Sequence, residues 1–140
     1  MREYVESLKT IFHCFETGAE LQFEGEHYQF TRLQPFFNPG PLEVPAPPIL
    51  LGAVGPDMTR MAGGAADGLM SHPTHSAPRD LEEVTLPAIA EGAERCGRSA
   101  DLCPILAAGF ILTGSDELAL ARKRERIREQ LSFLYSTRAY

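Results

Sequence analysis

The stretch PPILLGAVGPDMTRMAGGAADGLMSHP, residues 47–73, decides the fold. It runs from an apolar segment through a Gly-Pro bend and a small-residue helix to a second short apolar segment that ends in histidine. Pro48 to Val54 is continuously apolar, the pattern of a strand buried on both faces of a parallel sheet. Pro56 suits the first position of a helix, and Asp57 suits its first turn. Met58, Met61, Ala62 and Ala65 recur at helical spacing and make a close-packing face. Asp67-Gly68 ends that helix, and Leu69-Met70 makes a very short strand. Strand, helix, strand in this order is a parallel βαβ unit.

The flanks extend the alternation. Residues Arg2 to Thr17 place Tyr4, Val5, Leu8, Ile11, Phe12 and Phe15 at spacings of three and four, which predicts an amphipathic helix with Gly18 at its C-terminus. Leu21 and Phe23, then Tyr28 and Phe30, alternate with polar residues on either side of Glu24-Gly25-Glu26, a hairpin pattern. Thr31 to Pro47 holds Pro35, Pro39, Pro41, Pro45 and Pro47 and reads as an extended loop. Downstream, Arg79 to Arg95 is a helix that starts acidic, ends basic and is interrupted by Pro87, so a kink or a late start is expected. Cys103 to Leu112 reads as a second long buried strand. Ser115-Asp116 caps a last helix carrying Leu118, Leu120, Ile127, Leu131 and Leu134. The final segment, SFLYSTRAY, stops within or just after that helix.

Composition narrows the function. The 140 residues carry a net charge of −6, which argues against a general nucleic-acid binder. No apolar run approaches the roughly 20 residues of a membrane helix, and MREYVESLKTIF has no signal-peptide core. Cys14, Cys96 and Cys103 share no C-x-x-C spacing, so reduced thiols and a cytoplasmic location are expected, with no metal site. The basic run Ala121 to Glu129 contains no aromatic residue and two glutamates, the pattern of a solvated helix face. Arg2 and Glu6, four apart, are expected to pair.

Parallel α/β folds bind ligands at the carboxyl ends of their strands. The candidates are therefore Gly52 to Pro56 after the first strand, Ser71 to His75 after the second, and Thr113-Gly114 after the third. The Gly52–Pro56 bend leads into a helix start, where glycine lets backbone N–H groups approach an anion. Taken alone, such a bend serves packing more often than phosphate binding. His72 and His75 lie three apart in S-H-P-T-H-S. Either a proton-transfer role or a place as polar loop residues fits; the second suits His75 better, and for His72, closer to the strand end, both stay open. His13 and His27 carry no expected chemistry.

Several stretches together resemble one family. They are REYVESL-x-x-IF, FEGEHYQF, PFFNPGPLE-x-P-x-PPI, L-x-AVGP-x-M-x-R-x-AG-x-x-ADG, and HP-x-HS followed by LP-x-IAEGAER. From Arg2 to Tyr140 the chain is similar to the luciferase-like flavin or deazaflavin oxidoreductases, and most to the branch that depends on coenzyme F420. The resemblance implies an α/β fold, a partial TIM (β/α)8 barrel of about three parallel strands with helices and a small β-hairpin insertion. The family's barrel takes roughly 300 residues. By the family's order, the helix at Arg2 follows strand four, and Pro48–Val54, Gly68–Ser71 and Cys103–Leu112 are strands five, six and seven. Three strands cannot close a barrel. Residues 1–140 are thus expected to be one incomplete barrel segment. The expectation is a truncated chain or split reading frame, or else a short protein that pairs with itself or with a complementary half.

The resemblance also implies roles. Gly52, Ala53, Val54, Gly55, Pro56 and Met58 lie against the phosphate and ribityl part of the cofactor, F420 or alternatively FMN. Asp67 is structural. Ser71, His72 and His75 face the pocket mouth, with Ser71 toward the cofactor, His72 as the catalytic candidate and His75 in the pocket of a small-molecule substrate. The implied activity is hydride transfer or monooxygenation, weak or absent in this chain alone. The alternative is an inactive fragment that acts as a dimerisation or interaction module.

Overall fold

The computed structural model describes residues 1–137. The chain divides into two units, Met1–Ile49 and Leu50–Tyr140.

In the first unit, helix α1 spans Arg2–Thr17 as its periodicity predicts. It stops at Gly18, whose φ of 69° is left-handed and whose N–H donates to the Cys14 carbonyl. A residue without Cβ takes that conformation at no steric cost. Arg2 and Glu6 do pair, at 3.9 Å and half exposed, a contact worth little to stability. Strands β1 (Phe23–Glu24) and β2 (Gln29–Phe30) form the expected hairpin, with Phe23 opposite Phe30. Its turn is organised by Glu3 of α1. The Glu3 carboxylate accepts N–H bonds from Glu26 at 3.0 Å, His27 at 2.8 Å and Tyr28 at 3.1 Å. These donors, His27 foremost, hold the Glu3 carboxyl below the usual glutamate range. Glu3, Glu26 and His27 bring ligand-type atoms within 4.8 Å of one another, yet both Glu3 oxygens are already committed to backbone N–H groups. Residues 31–49 carry no helix or strand apart from one 3-10 turn at Pro35–Phe37, and Gly40 turns the chain with a φ of 78°.

The second unit is a parallel three-stranded sheet in the order β3 (Leu50–Ala53), β4 (Gly68–Ser71), β5 (Ile105–Ala107). Leu51, Leu69 and Ile105 lie in register, as do Gly52, Met70 and Leu106. Neighbouring strands are consecutive in sequence, and α2 (Pro56–Ala65) connects the first pair. Leu69 is buried with Ala62, Ala66, Ile89 and Cys103, and Leu51, Ala53 and Ile105 pack against that cluster. Residues of opposite parity point to the other face. There Met70 is 49% and Leu106 44% exposed. One covered face and one open face is the arrangement of a barrel wall, whereas a doubly wound sheet carries helices on both.

Two predicted strands are shortened. The expected Cys103–Leu112 strand pairs only over Ile105–Ala107, because β4 ends at Ser71 and no described strand flanks the far edge of β5. Pro48–Val54 pairs only over Leu50–Ala53, and its burial on both faces is not seen, since Gly52 and Val54 are exposed. The expected Arg79–Arg95 helix becomes three pieces: the short turn α3 (Pro78–Asp80), a π-helical turn at Leu81–Thr85, and α4 (Leu86–Arg95). Pro87 has no N–H to donate and its ring crowds the preceding turn, so the chain widens there and restarts with proline in the first turn of α4.

Helices α2 and α4 cross at glycine. A Cβ on Gly63 would lie 2.2 Å from the Ile89 carbonyl oxygen, and one on Gly92 would lie 1.8 Å from that of Arg60. Arg98, beyond α4, donates to the carbonyls of Gly63 at 3.2 Å and Ala66 at 2.9 Å, closing the C-terminus of α2. That helix ends at Ala65, just before the predicted Asp67-Gly68 stop. Helix α5 (Glu117–Tyr135) starts at Asp116, whose carboxylate accepts the Ala119 N–H at 2.8 Å. This bond is the chief reason its carboxyl sits below the usual range. The basic run of α5 is exposed apart from half-buried Ile127, with Arg128 and Glu125 paired at 3.4 Å, as a solvated face requires. The last residues of SFLYSTRAY, 138–140, lie outside the described residues. No described helix is long and apolar enough to cross a membrane.

Candidate functional site

The carboxyl ends of β3 and β4 open onto a groove of about 360 Å³, lined by Gly52, Ala53, Val54, Met70, Ser71, His72, Pro73 and Ala108. A much smaller cavity of about 40 Å³ lies beside it. Ala53, Val54 and Ser71 border both. Gly55, Pro56, Thr59, His75 and Asp80 border only the small one.

The Gly-Pro bend is held by its own helix. Thr59 donates both its N–H, at 3.1 Å, and its hydroxyl, at 2.9 Å, to the Gly55 carbonyl. Gly55 is the N-cap of α2, and no side chain caps the first N–H groups of that helix. An uncapped helix start leaves backbone donors and a partial positive charge. Arg60, the nearby cation, is engaged by Asp57 and by Glu91. An anion here would therefore meet backbone donors with no uncommitted charge behind them. The glycines of the bend are not needed for packing within the chain: a Cβ on Gly52 or on Gly55 would meet nothing within 4 Å.

The loop after β4 is built from short-range bonds. Ser76 donates its hydroxyl to the His72 carbonyl at 2.9 Å, so the 2.6 Å contact between Ser71 and Ser76 has Ser71 as donor. The Ser71 hydroxyl thus serves the loop. His72 caps the 3-10 turn Pro73–His75, its Nδ1 accepting the Thr74 N–H at 3.4 Å. The Thr74 hydroxyl lies 2.8 Å from Nδ1 of His72 and 2.8 Å from Nδ1 of His75. The Tyr135 hydroxyl of α5 donates to the Thr74 carbonyl, and the Tyr135 ring lies 6.4 Å from the ring of His75.

The structure therefore gathers Gly52, Ala53, Val54, Ser71 and His72 around the groove. It sets Gly55, Pro56 and His75 at the adjoining small cavity, and Met58 half-buried on α2, bordering neither. Sequence reasoning placed Thr74 among the strand-end candidates without giving it a role, and it passed over Ser76 and Tyr135. A threonine between two histidines in H-P-T-H was the available signal for the first; nothing local marked Tyr135, which arrives from 61 positions away.

A parallel βα segment with helices on one sheet face and a groove at the strand carboxyl ends is a portion of a (β/α) barrel. The chain belongs to the luciferase-like monooxygenase family, whose family model matches residues 1–138. An uncharacterized protein of Mycobacterium tuberculosis is 39% identical over 140 residues, which cover 100% of this chain and 41% of that protein. The F420-dependent glucose-6-phosphate dehydrogenase of Nakamurella multipartita is 36% identical over 92 residues, 65% of this chain and 25% of the enzyme. Among solved structures, the coenzyme F420 dependent tetrahydromethanopterin reductase from Methanopyrus kandleri superimposes with a TM-score of 0.51 at 27% identity. That match covers 74% of this chain and 28% of the reductase. The chain thus spans less than half the length of these relatives.

Proposed function

We propose that this chain is the part of an F420-dependent oxidoreductase that receives the phosphate side of the cofactor and presents His72 to a small-molecule substrate. The observation that carries the reading is the pairing of an uncapped α2 start with two glycines whose Cβ positions are empty. That combination leaves room and backbone donors for an anionic group beside a groove of ligand size. Gly52, Ala53, Val54, Gly55 and Pro56 would hold the group, with Ser71 supporting the loop. The names of two relatives favour F420 over FMN. When bound, the cofactor supplies hydride transfer or oxygen activation by its own chemistry. The protein's share is to seat it, exclude water and move a proton at His72. The open sheet face carrying Met70 and Leu106 favours an association that covers it, by a second copy or by a complementary barrel half.

The test is fluorescence titration of coenzyme F420 with the chain and with Gly55→Val. Binding is expected, weakened at least tenfold in the variant while the unfolding midpoint holds. Binding of FMN in place of F420 selects the flavin; binding of neither overturns the reading. In a completed barrel, His72→Ala is expected to cut turnover about a hundredfold, the low end for a general acid or base. Unchanged turnover would remove His72 from the mechanism.

A further inference from the structure

The two histidines of the β4 loop border different spaces, His72 the groove and His75 the small cavity with Asp80. One buried hydroxyl joins them. Thr74 is 3% exposed, and its oxygen sits 2.8 Å from Nδ1 of each ring. A hydroxyl has one proton to donate and can accept twice, so at most one of the two rings takes the Thr74 proton. The backbone settles which. Nδ1 of His72 already accepts the Thr74 N–H, so in the neutral ring it carries no proton and accepts the Thr74 O–H as well. The Thr74 oxygen must then accept from His75, whose Nδ1 carries the proton. Neutral His72 is thereby the Nε2–H tautomer and neutral His75 the Nδ1–H tautomer.

We propose that Thr74 is a positioning residue that links His75 to His72 in a proton relay from the small cavity to the groove. The balance is simple. A proton taken up at Nε2 of His75 makes that ring cationic. Its Nδ1 proton passes to the Thr74 oxygen as the Thr74 proton passes to Nδ1 of His72. His75 is neutral again, now the Nε2–H tautomer, and His72 is the cation. His72 then gives its Nε2 proton to a group in the groove. One proton enters and one leaves, His72 ends as the Nδ1–H and His75 as the Nε2–H tautomer, and the same passage in reverse, a proton taken up from the groove and released at the small cavity, restores the starting state; no bond to carbon or change of oxidation state is involved. Tyr135 steadies the relay by holding the Thr74 carbonyl. The inference deepens the proposed function, since it rests on His72 acting in the groove.

The test reads tautomers directly. Long-range proton–nitrogen correlation spectra of the full ¹⁵N-labelled chain, at mildly alkaline pH, report which ring nitrogen of each histidine carries hydrogen. The expected pattern is Nε2–H for His72 and Nδ1–H for His75. Thr74→Val is expected to lower the Nδ1–H share of His75, and Thr74→Ser to keep the wild-type pattern. A wild-type His75 protonated at Nε2, or a Thr74→Val pattern identical to wild type, overturns the relay. Should Thr74→Val fail to fold, the wild-type assignment and Thr74→Ser decide alone. A hydroxyl that merely packs would leave the tautomers unmoved. The readout needs neither cofactor nor substrate, so its failure overturns the relay alone, and failure of F420 and FMN to bind overturns the cofactor reading alone.

Discussion

Replacing Gly92 with alanine puts a methyl group where α2 and α4 cross. The new Cβ would sit 1.8 Å from the Arg60 carbonyl oxygen, 2.6 Å from its carbon and 2.8 Å from its Cα. All three are backbone atoms, so no side chain can swing aside. Real Cβ atoms essentially never approach closer than 3.0 Å, so the helices must part by about 1.2 Å along that contact. Ala62, Ala66 and Ile89 of the buried cluster lie on these two helices or at their ends. A gap of about 1 Å forfeits a quarter to a half of each dispersion contact there. Overpacking of a close-packed core costs about 1–3 kcal/mol, and backbone contact places this site at the upper end. Alanine in mid-helix returns about 0.5–1 kcal/mol of propensity. The net expectation is a loss of about 2 kcal/mol. It is read as a lower urea midpoint at unchanged slope in the full chain. Gly52→Ala is the control: its Cβ meets nothing within 4 Å, and its stability should stay within about 0.5 kcal/mol of wild type. A Gly92→Ala midpoint equal to wild type would refute the claim that backbone contact sets this crossing.

Other consequences follow from single bonds. Arg98→Ala removes two charge-assisted bonds from the end of α2 and should cost about 1–3 kcal/mol by the same denaturation assay. Tyr135→Phe frees the Thr74 carbonyl; amide exchange over residues 72–76 should quicken, with a loss of about 0.5–1.5 kcal/mol. Glu3 links the hairpin to pH. Its carboxyl is held below its unfolded value, so its contribution is complete above about pH 4.3 and fades as pH falls through the depressed folded value. Amides 26–28 should lose protection in that acid range, and Glu3→Gln should remove the pH dependence; an identical acid profile in the variant would exclude Glu3 as its source.

Local rules carried far into this chain. Gly18 closing α1, Pro56 opening α2 and Asp116 capping α5 each act through backbone geometry within a few residues, and the structure has all three where the sequence alone places them. The strand order of residues 50–107 was legible for the same reason, because apolar runs separated by helical periodicity leave few alternatives. Strand length was not. Residues 108–112 are apolar, yet they pair with no described strand, since a ladder needs a neighbour and β4 stops at Ser71. The π-turn at Leu81–Thr85 is a compromise between Pro87 and the demand that Ile89 reach the core.

For the site, the sequence by itself determined the residue types at the strand ends: two glycines and a proline before a helix, and two histidines around a threonine. Only the tertiary structure decided their use. It showed the glycines unneeded for packing, turned the Ser71 hydroxyl inward to Ser76, and left Met58 away from the groove. It also brought Tyr135 onto the loop. Hydrogen-bond partners and empty volumes depend on positions in space that no local periodicity encodes, and that is why the motif was readable before its wiring was.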